Sequence, residues 1–202
     1  IPAGSGDDVL HCPHGERGAF AVKQTCSDGC ESAPSGQVDY CKATTTSATY
    51  KLPVACGTNA KCTNGNGTNT HTGKDQYAYD FGMPVGTSIR AMRGGTVLAV
   101  RMPSPPGSSC FNGGGTSCAN YANTVEIKHS DGTVGLYMHV SKILVTKGKV
   151  VAQGDEIAKS GQSGWVTGPH LHAQVQENCG IWWCQSKPFK FWEGAVGTGT
   201  SR

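Results

Sequence analysis

The sequence predicts a mostly β domain built on an antiparallel sheet. Short runs in which apolar and polar residues alternate recur at residues 88–100, 124–128, 134–139 and 171–176, and a period of two is the mark of a half-buried strand. No long window places apolar residues at the three-and-four spacing of an amphipathic helix. With 29 glycines in 202 residues, the chain suits one domain with many turns, large enough to bury its own core.

Residues 1–60 read as a disulfide-tied extension. Ten cysteines, at 12, 26, 30, 41, 56, 62, 110, 118, 179 and 184, form an even set in a mildly basic chain, which points to disulfides and an oxidising compartment. Local pairs are the economical expectation: Cys56 with Cys62, Cys110 with Cys118, and Cys179 with Cys184. Each would close a short loop and stabilise the fold by an order of a few kcal/mol. His11-Cys12-Pro13-His14 looks like a metal tract, but disulfides account for its cysteine more simply. Ile1-Pro2-Ala3-Gly4 reads as a mature end left by processing, and with the cysteines it implies a secreted, extracellular protein.

The next element is a strand over residues 77–81. It alternates Tyr77, Tyr79 and Phe81 with Ala78, Asp80 and Gly82, so one face is aromatic and Asp80 points away from it. An acid in such a strand needs a partner, because an unpaired buried charge is costly. Shortly before it stands His71. Asp75 lies four residues after His71 and is the rival carboxylate, but Gly73 and the missing apolar period argue against the helix that would pair them.

Beyond the 88–100 run, residues 103–118 read as an inserted surface loop. Its glycines lack the Gly-Lys-Ser/Thr and the helix of a phosphate loop. Residues 123–139 form a hairpin around Ser130-Asp131-Gly132-Thr133, whose second arm carries His139. His129, at the end of the first arm, is assigned no role. After a glycine-rich lead-in at 161–169 comes His170-Leu171-His172-Ala173-Gln174-Val175-Gln176. A strand places residues two apart on one face, so both imidazoles look the same way. The closing segment 179–202 holds Trp182, Trp183, Phe189, Phe191 and Trp192, which read as packing residues in preference to a stacking platform.

Two neutral imidazoles and a carboxylate are a usual donor set for catalytic zinc, with a fourth position left open. His71, Asp80 and His172 supply that set, with Asp75 as the alternative acid. His170 shares the strand face but has no vacant tetrahedral position, so it reads as an acid or base beside the metal. The hairpin brings His139 to the same place.

These residues carry a family resemblance. The chain resembles the lysostaphin/LytM-type zinc metalloendopeptidases, peptidase family M23, which cut peptides in peptidoglycan. The matching pieces are His71, residues 77–87, Gly94-Gly95-Thr96-Val97, Tyr137-Met138-His139-Val140, residues 148–154 and residues 161–172, in the family's order over roughly 68–178. By position, the resemblance makes His71, Asp80 and His172 ligands of one zinc per chain, with His139 and His170 polarising water and stabilising the tetrahedral intermediate. It implies a lysostaphin-type antiparallel core within a single catalytic domain over 1–202. The gap between His71 and Asp80 is longer than is common in the family, which keeps Asp75 in view.

The expected function is a secreted zinc endopeptidase acting on peptidoglycan cross-bridges or other glycine-rich peptides. Two alternatives are a protease of elastin-like proteins and a catalytically silent zinc-binding module. The latter is opposed by the complete histidine set. No stretch of about twenty apolar residues would span a membrane. The net charge of +3 suits encounter with anionic walls. It is too weak to argue for nucleic acid, and no basic run interleaves with aromatics. The protein is expected to act as a monomer.

Overall fold

A computed structural model describes residues 50–55 and 57–193, together with three short strands nearer the N-terminus. The His11–His14 tract, Cys12, Cys26 and Cys56 lie outside the described residues. In chain order the strands are β1 (Phe20–Lys23), β2 (Cys30–Glu31), β3 (Tyr40–Cys41), β4 (Asn59–Asn64), β5 (Tyr79–Gly82), β6 (Ser88–Arg90), β7 (Gly95–Arg101), β8 (Thr124–Lys128), β9 (Val134–Met138), β10 (Lys142–Ile143), β11 (Val150–Val151), β12 (Glu156–Lys159) and β13 (His170–Gln176). Among the described residues, the only helical elements are 3-10 turns at Gly73–Asp75 and Thr116–Cys118. This is the mostly antiparallel architecture that the alternating runs predict.

The main sheet has the order β1-β4-β5-β13-β9-β8-β7-β11, and a smaller one has the order β10-β12-β6. β2 and β3 pair with each other. The expected hairpin is present as β8 and β9, with Thr124 opposite Met138 and Lys128 opposite Val134. The 88–100 run is two strands in different sheets. Between them a chain crossing brings Gly95 so close to β8 that an added Cβ would meet the Lys128 carbonyl oxygen at 2.3 Å, a contact that only glycine avoids.

Alternation divides the residues of the main sheet between its two faces. On one face Tyr79, Phe81, Leu171, Ala173, Val175, Tyr137, Val125, Ile127 and Val97 join a core with Ile89, Met92, Ile157, Phe189 and Phe191. The predicted packing role of Phe189 and Phe191 is therefore met. Tyr77 is the exception to the predicted strand: β5 begins at Tyr79, and Tyr77 is only half-buried. The opposite face carries Asp80 on β5, His172, Gln174 and Gln176 on β13, Leu136 and Met138 on β9, and Thr124 and Glu126 on β8. A second apolar group covers part of it, with Trp182 and Trp183 packed against Ala122, Leu136 and Met138.

Disulfides join Cys110 to Cys118 and Cys179 to Cys184, as expected. Cys62 is also disulfide-bonded, but its expected partner Cys56 is not among the described residues. No helix of the described residues is long and apolar enough to cross a membrane.

Candidate active site

Strand register assembles the centre of the site. β13 runs antiparallel to β5 with His172 opposite Asp80, and both side chains rise from the polar face because their neighbours Leu171, Ala173, Tyr79 and Phe81 are committed to the core. The loop after β4 delivers His71. Its backbone N–H donates to the Thr68 carbonyl at 2.8 Å, and the Gly67 N–H donates to the Gln76 carbonyl at 2.8 Å, closing the loop over the end of β5.

His71, Asp80 and His172 each offer a ligand atom, and these atoms all lie within 4.8 Å of one another. His71 Nδ1 is 3.0 Å from the Gly65 carbonyl oxygen. A carbonyl only accepts, so Nδ1 carries the proton and Nε2 presents a lone pair. That lone pair lies 3.2 Å from Asp80 Oδ2, with no hydrogen-bond donor meeting it. His172 Nδ1 lies 3.0 Å from Asp80 Oδ1. Acceptor atoms so close together repel unless a positive centre stands among them. In a metal-free protein that centre is a proton. Burial depresses the His172 pKa, but the hydrogen bond and charge of Asp80 outweigh it and raise it to about 9. Burial likewise raises the Asp80 carboxyl, yet the hydrogen bond and charge of His172 hold it well below its ordinary value. The donor set of two imidazoles and a carboxylate fits zinc, which takes nitrogen and oxygen ligands in tetrahedral sites.

His170 and His139 border this group. His170 Nδ1 donates to the Gly168 carbonyl at 2.9 Å, and its Nε2 lies 3.8 Å from Asp80 Oδ1. His139 Nδ1 donates to the Ser163 carbonyl at 2.7 Å. The two rings have centroids 4.6 Å apart, and the His139 ring is 6.2 Å from that of His172. Burial, with the nearby His170 and His172, lowers the His139 pKa to about 3, so this ring is neutral with a free lone pair at Nε2.

His139 departs from the strand expected for it. β9 ends at Met138, and His139 has φ +67°, a left-handed conformation uncommon for a residue with a side chain. This turn swings the imidazole toward Ser163. The turn packs against Gly161, where a Cβ would meet Ser141 N at 2.6 Å and His139 O at 2.7 Å.

Four histidines, His71, His139, His170 and His172, and one carboxylate, Asp80, thus lie together. The rival Asp75 is engaged elsewhere: its Oδ1 accepts from the Trp183 indole at 2.6 Å and lies 3.8 Å from His172 Nε2. Sequence reasoning missed Gln174, whose Oε1 is 3.0 Å from His172 Nε2. It also missed Asn64, whose amide reaches Asp80 Oδ2 at 3.4 Å. Gln174 was within reach of the same period-two argument, since it follows His172 on one strand face.

With the geometry in place, comparison with known proteins identifies the lineage. The profile of Peptidase family M23 matches residues 74–181. The chain belongs to peptidase family M23. Curated relatives of this M23 chain include the peptidoglycan DD-endopeptidase ShyA of Vibrio cholerae, 38% identical over 96 residues, which are 48% of this chain and 19% of that protein. The glycyl-glycine endopeptidase ALE-1 of Staphylococcus capitis is 35% identical over 107 residues, 52% of this chain and 26% of that protein. The chain therefore spans only a minor part of each relative. Among solved structures, the catalytic domain of a mutant of the prophage-encoded M23 protein EnpA from Enterococcus faecalis superposes with a TM-score of 0.51 at 25% identity, covering 68% of this chain and 94% of that one. The M23 fold is thus shared over 68% of this chain.

Proposed function

We propose that this M23 chain is a secreted zinc-dependent endopeptidase that hydrolyses peptide bonds in peptidoglycan cross-bridges or other glycine-rich peptides. The observation that carries the reading is the convergence of His71, Asp80 and His172 on one buried point. The names of the two relatives, a DD-endopeptidase and a glycyl-glycine endopeptidase, favour a cell-wall peptide over an elastin-like protein. The disulfides Cys110–Cys118 and Cys179–Cys184 favour an oxidising, extracellular setting.

His71 Nε2, His172 Nδ1 and an Asp80 oxygen are the three atoms that would hold the metal. Zinc in such a site lowers the pKa of water in its open position to about 7 and polarises carbonyls. The other residues act around it. His139, neutral and anchored through Nδ1 to Ser163, offers Nε2 as a proton acceptor to water directed at the scissile carbonyl. His170, anchored through Nδ1 to Gly168, directs Nε2 toward the same space. Protonated from solvent, it donates a hydrogen bond to the developing oxyanion or a proton to the leaving amine, while His139 releases to solvent the proton that it took from water. Backbone anchors on both rings keep their geometry fixed before substrate arrives, which lowers the reorganisation required in the transition state.

The test is product analysis. Purified protein is incubated with bacterial peptidoglycan containing glycine bridges, with directly cross-linked peptidoglycan, and with soluble elastin. New amino termini on wall peptides are the expected result. Cleavage confined to elastin would replace the wall substrate with a protein one. Absence of cleavage on all three by zinc-loaded protein would overturn the catalytic reading.

A further inference from the structure

His172 is held differently from the other three histidines of the site. His71, His139 and His170 each direct Nδ1 at a backbone carbonyl and turn Nε2 inward. His172 turns Nδ1 inward instead, and its Nε2 meets the side chain of Gln174. A glutamine amide presents either oxygen or nitrogen, so it fixes a tautomer only if something fixes the amide.

Three linked contacts do so. The backbone N–H of Cys184 points at the Gln176 side chain at 3.0 Å. A backbone N–H only donates, so the receiving atom is Gln176 Oε1. The atom of Gln174 lying 2.8 Å from that oxygen is then its amide nitrogen, which also reaches the Cys184 carbonyl at 3.4 Å. The Gln174 oxygen is left for His172 Nε2, which must carry a proton, so Nδ1 is the nitrogen left to face Asp80 and to take a metal in place of its proton. The remaining amide nitrogen of Gln176 donates to the Trp182 carbonyl at 3.1 Å, consistent with the same assignment. Gln174 and Gln176 are both buried, so water does not scramble the order. The origin of the chain is the short loop closed by Cys179–Cys184, also pinned by Trp183 donating to Asp75 and by the Lys74 ammonium donating to the Trp183 carbonyl at 3.3 Å.

We infer that Gln174 is a positioning residue for the metal centre, and that the Cys179–Cys184 loop sets the tautomer of His172 through Gln176 and Gln174. The inference rests on the reading of His71, Asp80 and His172 as metal ligands. Partners that orient ligating histidines are worth about 10–100-fold in metal affinity. Asp75 acquires a role as well: it is an anchor for this loop and not a ligand.

The experiment measures zinc affinity by chelator competition on the full chain, alongside thermal unfolding of the metal-free form. Gln174→Leu removes the acceptor for Nε2–H and should weaken zinc binding about 10–100-fold. Gln174→Glu restores an oxygen opposite His172 and should recover most of that loss, whereas a purely structural role would not distinguish the two by affinity. The double variant Cys179→Ala/Cys184→Ala leaves both glutamines in place and opens the loop. It should weaken zinc binding in the same direction, and it serves as the test if Gln174→Leu does not fold. If the parent binds zinc and both Gln174→Leu and the opened-loop variant bind it equally well, the inference is overturned while the metal site stands. If the parent itself binds no zinc, the metal reading fails and the inference with it.

Discussion

His172 and Asp80 face each other as direct partners across β5 and β13, with Nδ1 3.0 Å from Oδ1. Two residues 92 positions apart in sequence are therefore fixed by ladder register, and a slip of one residue between the strands would put His172 and Asp80 on opposite faces of the sheet. A site built on paired strands holds its geometry better than one built on loops.

The ligand assignment predicts a clear difference between two acids. Asp80→Ala removes the carboxylate between the histidines and should abolish stoichiometric zinc binding. Asp75→Ala breaks the contact to Trp183 and should retain zinc, with weaker affinity. Metal content after dialysis measures both. Loss of zinc in Asp75→Ala with retention in Asp80→Ala would reverse the assignment.

His139→Ala and His170→Ala should each keep zinc and lose activity. Positioned acid–base groups contribute about 10²–10⁴-fold to rate, and a loss on that order is expected in turnover with unchanged metal stoichiometry. Zinc content and initial rates on the same preparations separate the two roles.

Gly161→Ala places a Cβ against Ser141 N and His139 O. Overpacking against backbone costs about 1–3 kcal/mol, and the displaced turn carries His139. The expected result is a lower unfolding temperature together with lost turnover, while zinc remains bound.

Glu126 gives the polar face a pH dependence. Its carboxyl is buried, with Oε1 meeting no hydrogen-bond partner among the described residues. Burial raises its pKa, partly offset by Arg101, to about 7. A folded pKa above the unfolded value of 4.5 means that this group favours the folded state fully below pH 4.5 and loses that contribution as pH rises through 7. The loss is on the order of 3 kcal/mol. Denaturant unfolding at pH 5 and pH 8 should show it, and Glu126→Gln should flatten the difference.

Much of this was legible in the sequence because strands have a period of two. The acid in an aromatic strand announced Asp80, and the spacing of His170 and His172 announced a shared face. His139 was found as a residue but not as a conformation. Its positive φ depends on the close approach of Gly161, a contact between segments that alternation does not encode. The amides of Gln174 and Gln176 lay in plain view on the His172 face, yet their direction depends on a backbone N–H from the loop beyond β13. The split of residues 88–100 into two sheets was likewise invisible, since both halves alternate in the same way and only tertiary packing places the crossing.

The most direct test of the account is the metal content of the purified chain, read by elemental analysis and followed by chelation and zinc restoration during peptidoglycan digestion. The account predicts one zinc per chain, with digestion lost on chelation and regained with zinc. A metal-replete preparation that holds no zinc, or digestion that continues unchanged after the metal is removed, would contradict it.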